Sequence, residues 1–154
     1  ATRLESLVLN GISLGGNSPL VCASCCLTKL DLGIGCSYND EVAPLLLWHS
    51  GTLQYLGLSD IHIDGYAITL QEMRSLHSLY LKGHSVSFLD ELHATCIPGL
   101  TTIALEFDSQ TSPHDSLPAF VQMHPESCVS ELILSGSGWP FSDILPCILH
   151  MPHL

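Results

Sequence analysis

The chain has 154 residues, 46% of them hydrophobic, with 15 acidic side chains against 4 basic ones and a formal charge of −11. Too few cations are present to neutralise phosphate backbones or anionic headgroups, which excludes nucleic-acid binding and a polybasic membrane anchor. The longest apolar run, Val42 to Trp48, is seven residues and too short to span a bilayer, and 12% charged residues is too few for a disordered chain.

Leucine supplies 28 positions, and their placement is periodic. A frame of the form L-x-x-L-x-L opens at Leu4-Leu7-Leu9. It recurs at Leu27-Leu30-Leu32, Leu53-Leu56-Leu58, Leu76-Leu79-Leu81, Leu100-Ile103-Leu105 and Val129-Leu132-Leu134. The frames are 23, 26, 23, 24 and 29 residues apart, within the range of leucine-rich repeats. The last two apolar positions of each frame alternate with outward residues, which predicts short strands near 6–10, 29–33, 55–59, 78–82, 102–106 and 131–135. No strand has a hairpin partner nearby, so each buries its leucines only against the next coil. The fold class expected is an α/β leucine-rich-repeat solenoid, a horseshoe with parallel strands on the concave face and helices or irregular turns on the convex face.

Between strands, residues 15–26 hold Gly, Asn, Ser, Pro and Cys and predict an irregular crossing. Glu41 to His49 and Gly65 to Arg74 are weaker helix candidates. Phe88-Leu89-Leu92-Cys96 has helical spacing with Pro98-Gly99 as a stop, and Asp108 to His114 reads as a surface loop. Leu117-Phe120-Val121-Met123 and Ile144-Leu145-Ile148-Leu149 complete the set, the last with Ser142 as N-cap and Pro146 placed to shorten it. A further frame begins at Met151 or Leu154, and the sequence opens on Ala1 rather than Met. Both suggest a piece of a longer array, whose uncapped ends (Leu4, Leu7 and Leu9; Met151 and Leu154) would make the isolated chain self-associate.

Seven cysteines cannot all pair within one chain, and no usable Asn-x-Ser/Thr sequon or signal peptide is present. Reduced thiols in a cytoplasmic or nuclear compartment are the reading expected. Cys22-x-x-Cys25-Cys26 with Cys36 raises zinc, but only one pair has ligand spacing; a fourth ligand would have to come from Cys36 or a histidine such as His49. Small buried hydrophobes are the reading preferred for these cysteines. The nine histidines are scattered, form no H-E-x-x-H, and read as solvated or hydrogen-bonded surface groups. Gly11-Ile-Ser-Leu-Gly15 after a strand matches the nucleophile elbow of α/β hydrolases, with Ser13 as nucleophile. Pro19 falls in the helix that would have to follow, and with 12 Gly and 19 Ser a chance match is unsurprising. These patterns assign no metal, no cofactor and no enzymatic activity.

Outward strand positions remain as the candidate site. Lys29, Asp31, Tyr55, Ser78, Tyr80, Lys82, Thr102, Glu106 and Glu131 fall on the concave face and are taken as partner-binding. Tyr55 and Tyr80 on adjacent coils are natural interface anchors, although they could instead pack on one another. Lys29 and Lys82 point to an acidic or phosphorylated partner patch.

The positions three after the last frame leucine are Ile12, Gly35, Ile61, His84, Asp108 and Ser137, so the asparagine ladder of extracellular repeats is missing. The chain is more similar to ribonuclease-inhibitor-like intracellular repeats. Its closing segment, Leu117 to Gly136 running into Phe141 to Leu154, resembles the repeat region of fungal F-box-like proteins. The resemblance implies substrate capture for a cullin-type ubiquitin ligase, with a Skp-type adaptor bound through an F-box that this chain does not contain. A free-standing repeat scaffold or inhibitor is the alternative.

Overall fold

A computed structural model describes residues 4–13, 26–63, 72–92, 97–107, 116–125, 128–136, 139 and 141–154, without the side chain of Asp143. Six strands form one sheet: β1 (Ser6–Leu9), β2 (Lys29–Leu32), β3 (Tyr55–Ser59), β4 (Ser78–Lys82), β5 (Thr102–Phe107) and β6 (Glu131–Gly136). Every pairing is parallel and each strand neighbours the next in sequence, giving the order β1-β2-β3-β4-β5-β6. The register matches frame to frame, so Leu7, Leu30, Leu56, Leu79, Ile103 and Leu132 lie in one row. Leu9, Leu32, Leu58, Leu81, Leu105 and Leu134 form the second row.

Both rows are buried in the four central strands and only partly buried in β1 and β6, because an edge strand has a neighbour on one side. Each fully buried leucine stabilises the fold by about 1.5–3 kcal/mol relative to exposure, so the frames form one wall of the core. Helices close its other side: α1 (Ala43–His49), α2 (Phe88–Glu91), α3 (Ser116–Met123) and α4 (Phe141–His150). A π-helical turn, Tyr38–Val42, leads into α1, where Pro44 sits in the first turn. A 3-10 turn, Gly83–Ser87, leads into α2. Phe88 and Phe120 are fully buried, and α3 packs between α2 and α4.

Adjacent coils are joined at the strand entries by a repeating motif. One carbonyl accepts two consecutive N–H groups of the next coil: Glu5 from Thr28 and Lys29, Thr28 from Gln54 and Tyr55, and Gln54 from His77 and Ser78. The same holds for His77 with Thr101 and Thr102, and for Thr101 with Ser130 and Glu131. Side-chain hydroxyls reinforce these steps, from Thr28 to Glu5 O at 3.1 Å, Thr52 to Leu27 O at 2.8 Å, Ser75 to Gly51 O at 2.9 Å and Thr101 to His77 O at 3.1 Å. These bonds leave few orphaned backbone groups where the coils turn.

Several expectations are corrected. α4 runs through Pro146, because the hydrogen bond lost would fall on the carbonyl of exposed Ser142, which water can satisfy. Ser142 lies inside the first turn of α4 and is not its N-cap. Met151 is buried rather than sticky, while Leu154 is exposed. His49 is no surface histidine, being only 2% exposed in the last turn of α1. Cys36 is buried as expected of a small hydrophobe, but Cys26 is exposed. Cys22, Cys25, the loop 108–114, most of the crossing 15–26 and most of the candidate helix 65–74 lie outside the described residues.

Candidate functional site

Alternation along each strand sends one set of side chains to the leucine core and the other to the open face of the sheet. The outward set falls into three rows set by the strand register. The first row is Ser6, Lys29, Tyr55, Ser78, Thr102 and Glu131. The middle row is Val8, Asp31, Gly57, Tyr80, Ala104 and Ile133, and the third holds Ser59, Lys82, Glu106 and Ser135. All nine residues singled out from the sequence therefore share this face.

Their interactions are specific. The Tyr80 hydroxyl donates to Glu106 Oε2 at 2.7 Å, and Lys82 Nζ lies 2.7 Å from Glu106 Oε1. One carboxylate thus clamps a tyrosine and a lysine on the neighbouring strand. The bond from Lys82, then that from Tyr80, holds the Glu106 carboxyl below its ordinary pKa. Burial and the bond to Glu106 push the Tyr80 phenol well above its usual value, and the charge of Asp31 adds to the rise. Lys29 Nζ sits 4.9 Å from the centre of the Tyr55 ring, a cation–π contact. Thr102 donates to Glu131 Oε2 at 3.2 Å.

These contacts revise two readings. Tyr55 and Tyr80 do not oppose each other, because Tyr80 pairs with Gly57 and Tyr55 with Ser78. Lys82 would reach an acidic patch only by leaving or sharing its ion pair with Glu106. Glycine at position 57 has a role that spacing did not disclose. A Cβ there would stand 2.7 Å from Asp31 Oδ1 and 3.2 Å from Tyr55 Cε1, so the Asp31 carboxylate lies on the bare backbone of Gly57 beside the Tyr55 ring.

A second feature lies past the strand exits. An open groove of about 600 Å³ is lined by Cys36, Tyr38, Asp60, His62 and His84 among others. The imidazoles of His62 and His84 stack with ring centres 4.3 Å apart, and His84 Nδ1 is 3.9 Å from Asp60 Oδ1. The histidines fall four and three residues past the last frame leucine of β3 and β4, at corresponding places in adjacent turns. Among the described residues no group of three His, Cys, Asp or Glu side chains is placed to hold a metal ion.

Ser13 follows β1, and its hydroxyl donates to Glu41 Oε1 at 3.1 Å. Glu41 is buried and its other oxygen accepts the Ser37 N–H at 2.6 Å. A carboxylate thus receives the hydroxyl at the position where a hydrolase would place an imidazole. The residues that follow Ser13, where the elbow helix would lie, are outside the described set. No described helix is long and apolar enough to cross a membrane. No family model, curated protein or solved structure matches the chain.

Proposed function

We propose that this chain is a leucine-rich-repeat solenoid that recognises a protein partner through the open face of its sheet. The observation that carries the reading is the register. Six frames set three outward rows side by side, with Tyr55 and Tyr80 near the middle and charged groups around them. Repeat stacks present extended surfaces of this kind, and half-buried tyrosines supply contact area at low entropic cost. Tyr80 is also pre-oriented by its bond to Glu106, which lowers the cost of fixing the ring on binding.

The resemblance to F-box-like repeats extends the proposal to substrate capture for a ubiquitin ligase, the adaptor being bound by an F-box elsewhere in the protein. Affinity capture with the full-length protein tests both levels. Recovery of a Skp-type adaptor together with a second protein that is lost in Tyr80→Ala is the result expected. A stable partner lost in Tyr80→Ala without the adaptor favours a free-standing scaffold. A partner indifferent to Tyr80→Ala contradicts recognition through the sheet.

A further inference from the structure

The centre of the sheet face has a chemistry of its own. Asp31 projects from β2 onto Gly57, with the Tyr55 ring on one side and Tyr80 one strand further along the same row. Among the described residues its carboxylate has no hydrogen-bond or ion-pair partner, unlike that of Glu106 on β5. Tyr80 stands between Gly57 and Ala104, so the rows are low on both sides of its ring. The result is an acid without a hydrogen-bond or ion-pair partner among the described residues, lying over bare backbone with Tyr55 beside it and Tyr80 on the next strand.

Resting on the proposed recognition role of this face, we infer that the partner inserts a cationic side chain, arginine or lysine, onto Asp31 between Tyr55 and Tyr80. A guanidinium or ammonium there would gain both an ion pair and the π-faces of the rings. The chain already demonstrates one half of the contact, because its own Lys29 places an ammonium over Tyr55. Lys29 is exposed and on a flexible stem, so it can swing aside as the partner's cation enters.

Charge favours a cation over an anion. Lys82 is held by Glu106, which leaves an anionic partner facing Lys29 together with Asp31 and Glu131. At longer range the formal charge of −11 attracts basic segments and repels acidic ones. Burial raises the pKa of both tyrosines most, and the charge of the Asp31 carboxylate adds to each rise, so the three groups lie in one small region.

Three dodecapeptide libraries, random except for a fixed central Arg, Lys or Glu, can be passed over immobilised wild-type protein and over Asp31→Asn and Tyr80→Ala. The fold of each variant is checked by circular dichroism. Retention of the Arg and Lys libraries at least fivefold above the Glu library is expected. Asp31→Asn is expected to reduce that excess at least threefold while leaving Glu-library retention unchanged, and added salt to weaken it. Retention that depends on Tyr80 but is equal across the libraries, favours Glu, or keeps its Arg and Lys excess in Asp31→Asn overturns the cation seat and leaves the recognition surface standing. Retention that Tyr80→Ala does not change, or none at all, overturns both.

Discussion

Leu79 and Tyr80 are neighbours in β4 that point to opposite sides of the sheet, and their substitutions should separate folding from recognition. Leu79 is 1% exposed, so Leu79→Ala is expected to open a cavity costing about 2–5 kcal/mol in denaturant unfolding. Tyr80→Ala leaves the core intact and should weaken partner binding by about 1–4 kcal/mol, the range of an interface anchor. Equal loss of folding in both variants would reject the outward assignment of Tyr80. His49 supports a pH prediction. The C-terminus of α1 favours an imidazolium by about 0.3–1 kcal/mol, yet burial lowers the His49 pKa below 6.5, and Nε2 has no partner among the described residues. Burial therefore outweighs the dipole. Below pH 6.5 the unfolded chain takes up the proton first, so His49 costs stability as pH falls from 6.5 through its folded value. His49→Leu should flatten the fall of Tm between about pH 7 and pH 5, and an unchanged slope would show that other groups set it.

At the scale of the element, the strands were legible in the sequence and the turns were not. Alternating leucines fix which face is buried, and a one-residue slip would expose a whole row, so the register of all six strands followed from the frames. The turns instead depend on contacts between coils. The absent asparagine ladder was visible, but not the hydroxyls that join the coils elsewhere. Thr28, Thr52, Ser75 and Thr101 flank the first frame leucines, and the buried Ser85 hydroxyl accepts the Ile61 N–H at 2.8 Å. Thr52→Val should accordingly cost about 0.5–1.5 kcal/mol in unfolding free energy; no change would mean that the hydroxyl bond to Leu27 adds nothing. Gly83 opens the turn after β4 at φ +58°, and a Cβ there would collide with the Asp60 carboxylate. Gly83→Ala should destabilise by about 1–3 kcal/mol through backbone strain, measurable as a lowered Tm, with an unchanged Tm contradicting the turn geometry. The candidate site divides in the same way, since its residues were readable from alternation whereas their pairing across strands was not. Only the structure shows Glu106 clamping Tyr80 and Lys82, and Asp31 lying on Gly57.

For the whole molecule, the sequential parallel order means that each coil supports the next and the two edges are supported on one side only. The half-buried leucines of β1 and β6 mark those edges, and α4 adds Phe141, Ile148 and Leu149 to the exposed apolar surface. An apolar edge of this kind promotes association. Light scattering is expected to show a mass that rises with concentration, reduced by Leu149→Glu, and a concentration-independent monomer would contradict it. The proposed recognition face is the side of the sheet opposite the helices, which makes direction the decisive observable. The most direct measurement is photo-crosslinking from benzophenone side chains placed at Tyr80 and Thr102 on the sheet, and at Leu47 and Met123 on the helical side. Partner adducts from positions 80 and 102, with none from 47 or 123, are predicted; adducts from the helical positions alone would contradict the account.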